Sequence, residues 1–268
     1  MNTKRVLMAT AVLMTTALPC LAHDTWLMPR SPRATEGKRA AADLTSGMAF
    51  PKNESAIKSD RVASGGWRTS SSNGRADRYE DGDSSLVAHY APSGEGTAVL
   101  FVTLKPKEIE LDADEVAHYL DEIGAPEALR RNWEEAGAGA TFRETYTKHA
   151  KTFVRVGEGD EADATCVRPV GFAVELIPQS DPTALSVGDE LVVKAVRGGD
   201  DELESFAVGV VCGETGESVM VRTNESGKVA FTISSPGWWL VRATDLRRQG
   251  DGTFKSDFTT MTFFVGAD

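Results

Sequence analysis

From about residue 167 onward the chain is cut into short apolar or alternating runs, and that spacing constrains the fold more than any other feature. The runs are Val167 to Ile177, Glu190 to Val196, Ser205 to Cys212, Val219 to Thr223, Val229 to Ser234, Trp238 to Ala243 and Thr259 to Val265. Turn residues divide them at Ser186-Val187-Gly188-Asp189, Asn224-Glu225-Ser226-Gly227 and Ser235-Pro236-Gly237. Seven short strands over roughly 100 residues predict an immunoglobulin-like β-sandwich for residues 164–268. Residues 23–163 read as a second β-rich, sandwich-like domain, so the expected fold class is mainly β. Leu86 to Tyr90 and Ala98 to Leu104 are its clearest strands, joined by a hairpin-like loop through Pro92 and Gly96. The Ser/Gly/Asn/Asp-rich stretch from Ser64 to Ser85 reads as loop, with one interrupted strand around Trp67.

A helical insertion is expected over about 112–156. Asp112 is placed to cap a helix from Ala113 to Ile123, with Glu115 at capping-box spacing and Gly124 as the stop. Val116, Leu120 and Ile123 supply its apolar stripe. Farther on, Phe142, Tyr146, His149 and Phe153 recur at helical spacing, which predicts a second helix from about Thr141 to Val154 with Glu144, Lys148 and Lys151 on its other faces. The stretch between them is uneven, and Gly137 and Gly139 argue against one continuous helix.

The amino terminus has the layout of a secretory signal peptide. Lys4 and Arg5 precede an apolar run from Val6 to Leu18, and Ala22 follows Pro19-Cys20-Leu21 at the position of a small residue before a cut. Cleavage after Ala22 is expected, which leaves His23 as the first residue of a periplasmic protein that does not span the membrane. The formal charge of −11 becomes −13 once Lys4 and Arg5 are removed. Such a balance argues against nucleic acid as a partner, since phosphates call for clustered Lys and Arg. Cys166 and Cys212 remain after processing, either as a disulfide or as two buried thiols.

Few residues carry recognisable chemistry. There is no GxSxG, HExxH, P-loop or dinucleotide fingerprint, so a non-enzymatic role is expected. Of the four histidines, His23 is the most distinctive. At a new terminus its α-amine and ring Nδ1 form a chelate of the kind copper and nickel prefer. His89, on a strand near a turn, is open to a surface, core or ligand role. His149 reads as a core residue and His118 as solvent-facing. Asp24 and Met48 are further possible donors.

Several segments then bring in a family resemblance. Ala22-His23-Asp24-Thr25-Trp26-Leu27-Met28-Pro29 resembles the A-H-x-x-W-L-x-P opening of a family of exported bacterial proteins. Ile109-Glu110-Leu111 with Tyr119-Leu120, Arg143-Glu144 through Val154-Arg155-Val156-Gly157, Glu175-Leu176-Ile177-Pro178 with Asp181-Pro182, and Pro236-Gly237-Trp238-Trp239-Leu240-Val241 are similar in the same order. That family is a domain of unknown function described as the periplasmic component of nickel/cobalt transport. The resemblance implies two β-rich domains and the handling of a transition metal such as nickel or cobalt, to which the His23 chelate adds copper as a candidate. It also implies a membrane metal transporter or another envelope protein as partner. Where relatives often carry histidines, this chain has Met48 ahead of Phe50 and Asp245 after the tryptophan strand. The expected metal ligands are therefore His23, His89 and Asp245. The alternative reading is a non-catalytic envelope scaffold or adhesion module. A copper oxidase with an N-terminal histidine brace is a weaker third, since no second imidazole is evidently placed for it.

Overall fold

The segment Phe142–Val156 is one continuous strand of fifteen residues, not the expected helix. The computed structural model describes residues 23–136, 141–159, 162–250 and 252–267; the expected signal segment, 1–22, lies outside them. Phe142–Val156 is the axis of a ten-stranded sheet. Along that sheet run Ser218–Arg222, Ala207–Cys212, Gly237–Arg248, Phe254–Val265, Phe142–Val156, Gly96–Leu104, Val62–Arg68 and Asn73–Arg75, with Lys107–Leu111 and Arg33–Ala34 also paired to the axis. Phe142–Val156 runs parallel to Phe254–Val265 and antiparallel to Gly96–Leu104.

The helical spacing misled because the axis is covered on both faces. Successive side chains of a strand point to opposite sides. Ala150, Val154 and Val156 enter a core with Leu27, Leu44, Trp67 and Leu100. Phe153 enters the other core, with Val174, Leu191 and Val241. Every residue from His149 to Val156 is buried, so no polar alternation marks the strand. Lys151 and Glu144, expected on the outer faces of a helix, are 1% and 2% exposed. The β-branched Thr145, Thr147, Thr152, Val154 and Val156 carried the strand signal.

Two smaller sheets therefore cover opposite faces of the large one. A five-stranded sheet of residues 24–90 contains Asp24–Pro29, Ala40–Gly47 and Leu86–Tyr90, with two further strands. A four-stranded sheet contains Val174–Pro178, Glu190–Arg197, Asp201–Glu202 and Lys228–Thr232. The latter, facing Ala207–Cys212, Gly237–Arg248 and Phe254–Val265, makes the immunoglobulin-like sandwich of the carboxy-terminal part. The protein is mainly β, with sandwich packing on each side. The large sheet runs unbroken across residue 163. Most carboxy-terminal strands fall where their alternation placed them, although Gly237–Arg248 and Phe254–Val265 extend farther and pair over twelve residues. The Ser64 to Ser85 stretch holds more strand than expected: Val62–Arg68, Asn73–Arg75 and Arg78–Asp81.

The capped helix is present as Ala113–Glu122. The Asp112 side chain accepts from the Glu115 backbone N–H, and the Glu115 side chain accepts from that of Asp112. Gly124 ends it at φ +61°, the left-handed conformation that glycine adopts without strain. A second helix, Glu127–Ala136, follows Pro126. Both helices cover an aromatic cluster that includes Tyr119, Phe142, Phe254 and Phe258. Among the described residues no helix is long and apolar enough to cross a membrane.

Candidate functional site

The three expected ligands do not come together. His23 directly precedes the strand Asp24–Pro29, and its carbonyl accepts a hydrogen bond of 2.6 Å from Lys148 Nζ. His89 sits at the opposite end of the same small sheet. Asp24 pairs with Gly47, and His89 pairs with Ala41 on that neighbouring strand. Six residues of strand separate the two levels, roughly 20 Å. His89 Nε2 instead lies 3.3 Å from Glu80 Oε1. Asp245 is 4% exposed, and both its oxygens are held by Arg197, at 2.7 and 2.9 Å. A carboxylate engaged that way has little capacity left for a cation. Among the described residues, no three His, Cys, Asp or Glu side chains converge to hold a metal ion.

His149 is a core residue, as read from the sequence. Its ring stacks on Phe172 at 4.8 Å between centroids, with Nδ1 3.1 Å from Thr103 Oγ1 and Nε2 3.4 Å from Asp257 Oδ1. Cys166 and Cys212 are free, buried thiols rather than a disulfide.

One residue on from His23, Asp24 opens a cleft of about 510 Å³ whose walls also include Trp26, Met48, Glu122, Glu214 and Arg242; His23 itself is not in the lining. Each wall has a local cause. Asp24 and Trp26 are two apart on a strand, so they share a face. The Trp26 ring meets Phe50 edge-on at 5.5 Å, and the loop carrying Met48 and Phe50 has a cis Phe50–Pro51 bond. Met48 is 59% exposed at the rim. Arg242 comes from Gly237–Arg248, with Nη1 3.3 Å from Asp24 Oδ2. Glu122 is the last residue of the capped helix.

Three carboxylates, Asp24, Glu122 and Glu214, share the cleft with two cations, Lys52 and Arg242. Burial pushes the Asp24 carboxyl above its ordinary value, against the pull of Arg242 and Lys148. Burial also raises Glu122, and the Asp24 charge raises it further, with Arg242, His23 and His118 opposing. Glu122 is doubly disfavoured, because helix carbonyls repel an acid in the last turn and this last turn has no basic residue. His118, one turn earlier on the same helix, is solvent-exposed. Sequence reasoning named His23, Asp24 and Met48 here but missed Glu122, Trp26 and Arg242. The acid against the helix dipole at Glu122 was the one available signal; the others meet only through tertiary packing.

Fold and cleft define a mainly β protein whose large sheet is flanked by two smaller ones, with an acidic pocket at the head of its first strand. The chain belongs to the family described as Domain of unknown function (DUF4198), whose sequence profile matches residues 20–245. No curated protein matches it. Among solved structures it is similar to the Bacteroides ovatus mixed-linkage glucan utilization protein SGBP-B at 12% identity and a TM-score of 0.20. That match covers 89% of this chain and 44% of the other, so the chain spans under half of that protein's length. The D0–D1 domain of intimin aligns at 12% identity and a TM-score of 0.20, over 90% of this chain and 98% of the other. A putative membrane anchored protein from Corynebacterium diphtheriae aligns at 9% identity and a TM-score of 0.23, over 92% and 54%.

Proposed function

We propose that this protein is exported, loses residues 1–22, and binds a transition-metal ion (nickel, cobalt or copper) at its new amino terminus as a non-enzymatic carrier. The supporting observation is that Asp24, the residue next to His23, shares one cleft with Glu122, and that the His23 charge favours both ionised carboxylates. Cleavage would add an amine to the His23 imidazole. A cation bound by that chelate would relieve the repulsion between the two acids, and one of them would complete the donor set. A membrane metal transporter is the partner this role implies. His89 and Asp245 have no part in the site.

Isothermal titration of the chain beginning at His23 tests the reading. One ion per chain is expected, weakened about tenfold or more by Glu122→Gln, since even groups that only support a metal ligand are worth about that much. Affinity unchanged by both His23→Ala and Glu122→Gln would overturn the assignment. A second reading, an envelope scaffold, is favoured by the open sheet edge at Ser218–Arg222, where Val219 and Met220 are 44% and 43% exposed. A defined envelope partner that co-purifies in the presence of chelator would support it.

A further inference from the structure

The large sheet ends on one side in Ser218–Arg222, which pairs with Ala207–Cys212 alone among the described residues. Glu217 O accepts from Cys212 N–H, and Thr223 N–H donates to Phe206 O, so the odd-numbered residues direct their backbone groups to that neighbour. The alternation of an antiparallel ladder then turns the N–H and C=O of Ser218, Met220 and Arg222 outward. Those groups have no backbone partner among the described residues. Exposed edges of this kind invite another strand, and proteins usually blunt them with charge, proline or a bulge. The far end of the same sheet is blunted: Asn73–Arg75 is three residues long, polar, and carries an arginine. Ser218–Arg222 has one charge, and it is drawn aside. The Arg222 guanidinium donates to Ser205 O at 2.8 Å and to Gly124 O at 3.1 Å, both on its own chain.

We propose that this edge binds a second copy of the chain, the two strands pairing antiparallel about a two-fold axis at Met220. In that register Met220 faces Met220, Val219 of one copy faces Val221 of the other, and Ser218 faces Arg222. Ser218, Met220 and Arg222 form the hydrogen-bonded pairs, so every outward N–H and C=O of the strand finds a partner. Val219 and Met220, 44% and 43% exposed, point to opposite faces of the strand, and both become covered. Val219 borders a groove of about 250 Å³ with Val210, Phe231 and Trp239, and Val221 of the second copy falls on that same face. Charge does not oppose the contact. At roughly 3.3 Å per residue from the axis, the two Arg222 lie about 13 Å apart and the two Glu217 about 20 Å. The Val-Met-Val order, the same read from either end, and this spacing of charges single out a second copy over a foreign strand. The proposal uses none of the residues of the metal reading.

Sedimentation equilibrium of the chain beginning at His23, with chelator present, tests it. The weight-average mass is expected to rise toward twice that of the monomer between about 1 μM and about 1 mM protein. Met220→Lys sets like charges opposite each other at the axis and is expected to weaken association about tenfold or more. Its side chain is exposed and its N–H faces away from Ala207–Cys212, so circular dichroism should show the fold retained. Oxidation reads the register. Met220→Cys brings two thiols to a Cα separation of about 5.5 Å, within disulfide reach. Ser218→Cys, on the same face, holds them about 13 Å apart. The native thiols Cys166 and Cys212 are buried. A cross-linked dimer from Met220→Cys and none from Ser218→Cys is the expected result. A mass that stays monomeric up to about 1 mM overturns the proposal and leaves the edge to a foreign partner. So does association unaffected by Met220→Lys, association that needs an added metal ion, or equal cross-linking of the two cysteine variants.

Discussion

Lys151 Nζ and Glu175 Oε1 meet at 2.6 Å between the central strand and the carboxy-terminal sandwich, each side chain 1% exposed. Burial alone would raise the Glu175 carboxyl, but the Lys151 ammonium and the backbone N–H groups of Val170 and Gly171 outweigh it and hold the group below its ordinary value. Burial lowers the Lys151 ammonium, against the pull of Glu175. The pair joins Phe142–Val156 to the strand Val174–Pro178 and to the turn before it.

Removing one partner should therefore cost far more than removing both. Lys151→Met leaves a buried carboxylate and is expected to lower unfolding stability by about 3–5 kcal/mol. Adding Glu175→Gln should recover a large part of that, because an amide oxygen in the Oε2 position still accepts from the backbone N–H groups of Val170, Gly171 and Phe172. Denaturant unfolding of both single variants and the double variant measures the coupling; additive losses would contradict it.

Glu144 should give a pH-dependent gain. Its carboxyl is 2% exposed and raised by burial, against hydrogen bonds from Ser256 and Tyr119. A raised folded-state value means the native protein holds the proton more tightly than the unfolded chain. The stability from this group is complete below the unfolded value near 4.5 and is lost as pH rises through the folded value. Glu144→Gln, neutral at every pH, is expected to stabilise the protein at pH 7 by about 1 kcal/mol and to show little gain near pH 4. Unfolding midpoints across that range check the sign.

Gly124→Ala should loosen the helix end that carries Glu122. The residue sits at φ +61°, and an added Cβ would lie 2.7 Å from that of Ala207. Backbone strain and overpacking together predict a loss of about 2 kcal/mol. Thermal unfolding reports the loss, and a weaker metal titration would show that Glu122 had moved.

Much of this architecture was legible from short-range rules. The capping box at Asp112 and Glu115, the stop at Gly124 and the alternating carboxy-terminal runs each speak through their own neighbours in sequence. Phe142–Val156 did not, because a strand buried on both faces loses its alternation and its long charged residues find partners inside. The site was half legible for the same reason. His23, Asp24 and Met48 stood out by chemistry or position, whereas Glu122 and Arg242 reach the cleft only through packing of distant segments. Asp245 and His89 suggested ligands by residue type, but the fold commits Asp245 to Arg197 and sets His89 beside Glu80.

Native mass spectrometry of the chain beginning at His23, titrated with copper, nickel and cobalt, bears most directly on the proposed metal site. One ion retained per chain at micromolar protein, and lost when a single residue is added ahead of His23, is the expected result. Retention of none of the three ions, or retention unaffected by the added residue, would contradict an amino-terminal metal site.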